Sequence, residues 1–222
     1  MNKTKAGVAV SLVLLVLGAG AQAAQPSPDM SFFVTSAGLG KGADLGGLAG
    51  ADRHCQQLAT AADAGKKQWR AYLSTTASGN TPAVNARDRI GKGPWYNFEA
   101  RLIARSVDEL HTLNGINRMT ALTEKGTKVN GRAEAPNNMH DILTGSKPDG
   151  TVATGDKDTT CGNWTKSGDG SAIVGHHDRW GQRDDEPARS WNASHPSRGC
   201  SQDNLKASGG AGMFYCFAVN TR

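Results

Sequence analysis

Between residues 31 and 74, the pattern of apolar and polar residues predicts a strand, a helix and a second strand. Residues 31–35, S-F-F-V-T, are rich in aromatic and β-branched side chains, which is typical of a strand. After a glycine-rich turn, apolar residues recur at helical spacing from Leu48 to Ala62, and Gly65 ends the run. Residues 69–74 then alternate in the manner of a half-buried strand.

The C-terminal half contains one strong strand and a long stretch with little periodicity. Three further short strands are predicted, at 101–104, 120–124 and 172–175. Residues 213–219 are apolar on both faces, which predicts a central strand with Cys216 facing the core. Residues 145–212 are rich in Gly, Asp, Asn, Ser and Thr, which is typical of loops. The pattern predicts one α+β domain with long polar loops.

The first residues of the chain have the features of a secretory signal peptide. Two lysines precede an apolar run over residues 6–21, and an A-x-A cleavage site ends at Ala23. The alternative is a membrane anchor, but the run is short for a bilayer, which needs about 20 apolar residues. We therefore expect a secreted or periplasmic protein with no membrane span after cleavage. The chain divides into a signal peptide at 1–23, a linker at 24–31 and a domain at 32–222.

Composition and charge narrow the class of protein. The chain has 222 residues, of which 37% are hydrophobic, so it can close one sizeable core. The 28 glycines and the 6% aromatic content argue against a helical bundle or a membrane transporter. Loss of the two signal lysines lowers the formal net charge from +5 to +3, which is too weak to indicate a nucleic-acid partner.

The cysteines indicate disulfides and not a metal site. An even number in an exported chain predicts two bridges, and three pairings are possible. No two cysteines have the C-x-x-C spacing of a zinc hook. The four cysteines are Cys55, Cys161, Cys200 and Cys216.

Three blocks, taken in order, resemble the endostatin-type branch of the C-type lectin-like superfamily. The first is G-L-A-G-A-D-R-H-C at 47–55 with W-R-A-Y-L-S at 69–74. The second is H-D-I-L-T-G-S-K-P-D-G at 140–150 leading to C-G-N-W at 161–164, and the third is Cys200 with F-Y-C-F at 214–217. The resemblance implies a twisted antiparallel sheet with a flanking helix and long polar loops. It also implies that Cys55 pairs with Cys216 and Cys161 with Cys200.

Many C-type lectins bind calcium through two short motifs, and this chain lacks some of the ligand residues of both. C-type lectins hold calcium with a Glu/Gln-Pro-Asn/Asp turn and a Trp-Asn-Asp motif, because calcium needs several oxygen ligands. Here the turn is K-P-D at 147–149 and the second motif is W-N-A at 191–193. Lys147 replaces an oxygen donor and Ala193 removes a carboxylate. Asp149 and Asn192 alone are too few, so we expect no calcium.

The polar loop between Cys161 and Cys200 offers a different candidate site. His176, Asp178 and His195 are possible metal ligands or acid–base groups. Adjacent strand residues point to opposite faces, so His176 and His177 should not hold one ion. The sequence favours structural polar contacts over a metal site here, and H-D at 140–141 is a weaker candidate still. We expect no metal, no cofactor and no catalytic residue.

These observations favour an exported, non-catalytic binding protein that recognises a glycan or a protein surface. Loops on a rigid scaffold commonly carry recognition, and Trp180 or Trp191 can stack on a sugar if exposed. The alternatives are an exported metal-dependent hydrolase that uses the His/Asp loop, and a structural envelope protein. No G-x-S-x-G, H-E-x-x-H or P-loop motif is present. The candidate ligand-binding residues are Asp149, Arg179, Trp180, Arg183, Trp191, Asn192 and His195.

Overall fold

The computed structural model describes Met1 and residues 24–155 and 157–221. Apart from Met1, the predicted signal peptide at 1–23 lies outside the described residues. Among the helices of the described chain, none is both long and apolar enough to cross a bilayer.

Short strands and helices are joined by long irregular segments. In chain order they are β1 (Phe32–Val34), α1 (Gly47–Ala61), β2 (Trp69–Ala71), β3 (Trp95–Tyr96), β4 (Leu102–Ala104), α2 (Val107–Leu110), β5 (Asp141–Leu143), α3 (Cys161–Trp164), β6 (Ile173–His176), β7 (His195–Pro196), α4 (Gln202–Ser208) and β8 (Gly210–Ala218). Single 3₁₀ turns lie at Ala86–Asp88, Arg132–Glu134 and Pro187–Arg189. The mixed α and β content confirms the α+β class.

Most of the predicted elements are present. β1, α1, β2, β4, β6 and β8 lie where the periodicity predicts them. The predicted strand at 120–124 is wrong, because this segment makes only isolated bridges. β5, β7 and α4 were not predicted, since each is short and lies in polar sequence.

β8 is the central strand of the main sheet. Its C-terminal half pairs antiparallel with β1 on one side and with β2 on the other. Its N-terminal half pairs with β5, and the sheet continues through β6 to β7. The β5–β8 pair is parallel, so the expectation of a purely antiparallel sheet is wrong at this point. The sheet therefore has an apolar half around β8 and a more polar half at β5, β6 and β7.

Two disulfides fix this arrangement. Cys55 on α1 bonds to Cys216 on β8, and Cys161 bonds to Cys200 across the polar loop. This confirms two bridges and the pairing that the resemblance implied. Cys55 and Cys216 are fully buried between α1 and the sheet, as expected for core-facing positions. The second bridge encloses β6 and β7.

The second half of the 24–31 segment packs against the domain. The backbone N–H of Ser27 donates to the Phe98 carbonyl, and Met30 is fully buried. The N–H of Tyr96 donates to the Ser31 hydroxyl. Residues 27–31 are thus part of the packed structure and not a free linker.

Candidate metal centre

The pairing of β5, β6 and β7 places three polar side chains on one face of the sheet. Asp141 on β5 lies directly opposite His176 on β6, and His195 on β7 lies opposite Val174. Residues opposite each other share a face, and so do residues two apart on one strand. Asp141, His176 and His195 therefore converge.

His140, the residue directly before β5, completes the group. Its ring stacks on that of His176, with centroids 4.1 Å apart. Gly175 allows β6 to lie close to the Trp191 backbone, because a Cβ at this position would be 1.9 Å from the Trp191 carbonyl oxygen. We call His140, Asp141, His176 and His195 the histidine cluster.

The donor atoms of the histidine cluster surround the Asp141 carboxylate. The distances from Asp141 Oδ1 to the Nε2 atoms of His140, His176 and His195 are 3.2, 3.3 and 3.5 Å. The Nε2 atoms of His176 and His195 are 3.1 Å apart. The donor atoms of His140, Asp141 and His176 all lie within 4.8 Å of one another, and His195 joins them through its contacts with Asp141 and His176.

The other ring nitrogen of each histidine is held by an acceptor. His140 Nδ1 lies 3.1 Å from Asp178 Oδ1, His176 Nδ1 lies 2.8 Å from the Ala188 carbonyl oxygen, and His195 Nδ1 lies 3.0 Å from that of Pro196. A carbonyl oxygen or an ionised carboxylate can only accept, so each Nδ1 carries the proton. In this tautomer, each imidazole presents an Nε2 lone pair to the centre of the cluster.

The Asp141 carboxylate is buried without the hydrogen bonds that burial normally requires. Only 2% of its side chain is exposed. Neither oxygen satisfies the hydrogen-bond criteria with a partner among the described residues, although three imidazole nitrogens lie within 3.5 Å of Oδ1. Buried carboxylates are usually paired, hydrogen-bonded or bound to a metal. The carboxylate therefore needs a cationic partner within the cluster.

Charges in and around the cluster shift several pKa values. Burial raises the pKa of the Asp141 carboxyl, but the imidazoles of His176 and His195 outweigh this effect and lower it. In return, the Asp141 carboxylate raises the pKa of His195.

Two groups behind the cluster are shifted further. Burial raises the pKa of the Asp178 carboxyl, but hydrogen bonds from His140 and the Arg132 N–H leave it at about 2. Burial lowers the pKa of His177 to about 4, so this imidazole is neutral near pH 7.

The donor set fits a divalent transition metal, and zinc in particular. Ligand atoms 2.0–2.1 Å from a tetrahedral zinc ion lie about 3.3–3.4 Å from one another. Four of the six separations among these donor atoms are given above, and their values of 3.1 to 3.5 Å are close to this distance. Zinc-bound histidines commonly donate their second N–H to a carboxylate or a backbone carbonyl, as all three do here.

The sequence identified part of this cluster and misassigned its centre. His176 and His195 are possible ligands in the sequence, where structural polar contacts were favoured, and the structure brings them together. Asp178 holds His140 and does not reach the shared centre. His177 is on the opposite face, as the strand alternation predicted, and its Nε2 is directed toward the Asn130 carbonyl.

His140 and Asp141 were ranked as the weaker candidates, yet they supply two of the four donor atoms. The only sequence signal was a polar pair directly before the apolar Ile-Leu of a buried strand.

A second polar group forms where the K-P-D turn meets the W-N-A motif. Asn192 Nδ2 donates to the carbonyl oxygens of Lys147 and Pro148 and to the Tyr72 hydroxyl. Asp149 accepts from the N–H and hydroxyl of Thr151. We call Asn192 and the 147–149 turn the turn cluster. Its polar side chains are used in internal hydrogen bonds.

The two loop tryptophans have opposite environments. Trp191 is only 4% exposed and packs between Tyr72 and Tyr215, with centroids 4.8 and 5.3 Å away. It is therefore a core side chain and not an exposed stacking surface. Trp180 is 52% exposed.

The two candidate arginines also differ. Arg179 is tied to the Ile116 carbonyl and the Asn114 side chain, which gives it a structural contact. Arg183 is exposed, and its Nε lies 2.7 Å from Asp185 Oδ2. Of the seven residues proposed from the sequence, His195 alone belongs to the histidine cluster.

Two comparisons with known proteins found no relative. No protein-family model matches the chain, and a search among curated proteins found no significant match. The geometry of the chain itself therefore carries the functional argument.

Proposed function

We propose that the chain is an exported binding protein whose functional centre is a zinc site formed by the histidine cluster. The observation that carries this proposal is the convergence of three imidazole Nε2 atoms on the buried Asp141 carboxylate. This conclusion departs from the sequence-based expectation of no metal.

Proton accounting supports a cation at this position. His176 and His195 both carry their proton on Nδ1, so their Nε2 atoms would face each other with two lone pairs at 3.1 Å. Such a contact requires either an additional proton or a metal ion between the rings. Three neutral nitrogens and one carboxylate give a zinc complex a formal charge of +1, with the Asp178 carboxylate behind it.

Zinc suits this donor set better than calcium does. Calcium takes six to eight oxygen ligands, whereas zinc binds histidine nitrogen and carboxylate oxygen in four-coordinate sites. With bound zinc, the cluster would polarise an oxygen of a ligand that approaches from the side of His195, the most exposed of the three histidines.

Binding is favoured over hydrolysis by the surroundings of the cluster. The adjoining cavity has one carboxylate among its described lining residues, that of Asp185, and this group is paired with Arg183. A metal-dependent hydrolase commonly needs a free carboxylate or histidine as general base. The protein is therefore proposed as non-catalytic, with a glycan or a protein as the wider ligand class.

We also propose that the domain is C-type lectin-like. Three features support this: β1 pairs with the final strand β8, the α1 cysteine is bonded to β8, and the 147–149 turn contacts Asn192. The two disulfides are compatible with export through the predicted signal peptide.

Metal analysis of the purified protein tests the zinc proposal. We expect about one zinc per chain after growth in zinc-containing medium, removal by a chelator and restoration by added zinc. His176→Ala should abolish stoichiometric binding. His54→Ala is the matched control, because His54 hydrogen-bonds to the Ala37 carbonyl far from the cluster.

Cobalt substitution provides a second readout. Tetrahedral nitrogen and oxygen ligands give cobalt a visible absorption band much stronger than that of the hydrated ion. The proposal is overturned if wild-type protein and the His176→Ala variant bind zinc equally, or if neither binds it.

A further inference from the structure

A cavity of about 590 Å³ opens beside the histidine cluster. His140, His176 and His195 form part of its wall, while Asp141 lies behind them. An ion held by the cluster would therefore contact this cavity on the side opposite its carboxylate ligand.

Four basic side chains from separate parts of the chain line the same cavity. Arg132 belongs to the 3₁₀ turn Arg132–Glu134, Arg183 follows β6, Arg198 follows β7, and Lys206 lies on α4. Because these residues come from separate segments of the chain, it is the fold that brings their positive charges together. The result is a basic wall around the face of the proposed zinc ion.

Most of these cations have no internal counter-charge. Arg183 is paired with Asp185, the one acidic residue among the described lining residues. Within the described chain, no carboxylate lies at ion-pair distance from Arg132, Arg198 or Lys206. Three unpaired cations that face one cavity repel each other and favour an anionic ligand.

Two of the arginines are anchored through their backbones. The Arg132 N–H donates to Asp178 Oδ2 at 2.8 Å, and Asp178 Oδ1 also holds His140. The Arg198 N–H donates to the Ser208 hydroxyl at 2.9 Å. The position of Arg132 is thus linked through Asp178 to a proposed zinc ligand.

We propose that this cavity binds the phosphate monoester group of a small phosphorylated ligand such as a sugar phosphate. The inference rests on the proposed zinc site: one phosphate oxygen would bind the metal as a fifth ligand, and the others would accept hydrogen bonds from Arg132 and Arg198. Arginine presents a planar fork of donors that matches phosphate.

Charge and volume select this ligand class. A phosphate monoester is mostly dianionic near neutral pH, because its second pKa is about 6. Three unpaired cations and the zinc complex favour a dianion over a carboxylate. The volume of the cavity exceeds that of a phosphate group alone, which leaves space for an attached sugar.

Titration calorimetry of zinc-loaded protein at constant ionic strength tests the proposal. The probes are glucose 6-phosphate, inorganic phosphate, sulfate and acetate, with free zinc removed beforehand. We expect both phosphates to bind, glucose 6-phosphate more tightly than inorganic phosphate, and acetate at least about tenfold more weakly than either.

Arginine variants locate the site. Arg132→Gln and Arg198→Gln should each weaken glucose 6-phosphate binding by about tenfold or more while zinc content stays unchanged. Arg101→Gln is the control, because Arg101 is exposed, pairs with Glu99 and does not line the cavity. Its affinity for glucose 6-phosphate should equal that of the wild type.

The outcomes separate this inference from the zinc proposal. Stoichiometric zinc without phosphate binding, or equal binding of acetate and glucose 6-phosphate, would overturn the phosphate site and leave the zinc site intact. Phosphate binding that is the same in zinc-free and zinc-loaded protein would overturn the proposed metal contact. Loss of phosphate affinity on zinc removal, with recovery on zinc addition, would support the complete arrangement.

Discussion

The histidine cluster and the turn cluster both collect polar side chains on the same domain, but they use them differently. In the turn cluster, the amide of Asn192 donates to two carbonyls and a tyrosine hydroxyl, and Asp149 accepts from Thr151. In the histidine cluster, three nitrogens and a buried carboxylate face one another, and no donor among the described residues satisfies that carboxylate. Satisfied polar groups stabilise a fold, whereas converging acceptors indicate a cation.

This comparison also changes the meaning of the resemblance to C-type lectins. The segments that carry calcium in those proteins meet here, but Asn192 fixes the turn through hydrogen bonds. The proposed cation site instead lies on β5, β6 and β7. The number of charged residues in the sequence does not reveal this cation site. The site is recognised by buried polar atoms that have no hydrogen-bond partner, and these are visible only in the structure.

The largest expected loss of stability is at Trp191, the buried neighbour of Asn192 in the turn cluster. Trp191→Ala should lower the free energy of unfolding by about 3–5 kcal/mol, because it empties a buried site between two tyrosines. Trp180→Ala should change it by less than about 0.5 kcal/mol, since Trp180 is half exposed. Urea denaturation of both variants measures the difference, and equal losses would contradict the assignment of Trp191 to the core.

The next largest effect is the increase in stability that zinc should give through the histidine cluster. Zinc at one hundred times its dissociation constant should stabilise the wild type by about 2.7 kcal/mol. Asp141→Asn should remove this increment, because the amide is a far weaker zinc ligand of similar shape. Thermal unfolding with and without zinc measures it, and calcium serves as the comparison cation. A zinc increment that persists in the variant would contradict ligation by Asp141.

Breaking the turn cluster should cost stability without affecting zinc. Asn192→Ala leaves the Lys147 and Pro148 carbonyls without their donor, so we expect a loss of about 1–3 kcal/mol. The zinc-dependent increment should stay at its wild-type value. A variant that lost stability and zinc binding together would show that the two clusters are coupled.

The smallest effect concerns the support of the metal ligand His140. Asp178→Asn keeps an oxygen near His140 Nδ1 but removes the carboxylate that fixes its tautomer. Loss of such an outer partner typically reduces metal affinity by about 10–100-fold, and we expect the lower end for this conservative change. Competition with a chromophoric chelator measures the affinity. An unchanged zinc affinity would show that Asp178 does not orient His140.

The sequence predicted the apolar half of the molecule better than the polar half. α1 and β8 have regular spacing over many residues, so burial of one or both faces is visible in the pattern. β5 has three residues and β7 has two, and no periodicity can be read from so few. Their existence depends on pairing with β8 and β6, which are distant in the chain.

The histidine cluster was hidden for the same reason. His176 and His195 lie on β6 and β7, and His140 directly precedes β5, so their proximity is a consequence of how these strands pair. His176 and His195 were recognisable as candidate ligands by residue type. Asp141 was a weaker candidate, because nothing in the sequence shows that its carboxylate is buried beside three imidazoles. Trp191 was ambiguous for a similar reason, since its polar neighbours in sequence gave no sign of the tyrosines around it.

The Cys161–Cys200 bridge closes a covalent ring that contains both His176 and His195. A zinc ion bound by these two residues would divide the ring into smaller loops, so the polar half would carry two cross-links of different chemistry. Residues 182–187, mostly exposed, lie inside the inner loop. A protease cut there would leave the two pieces of the chain joined by both disulfides, since Cys55–Cys216 also spans the cut, and by the metal. Under mildly denaturing conditions, the cut ends should therefore separate only when a reductant and a chelator act together.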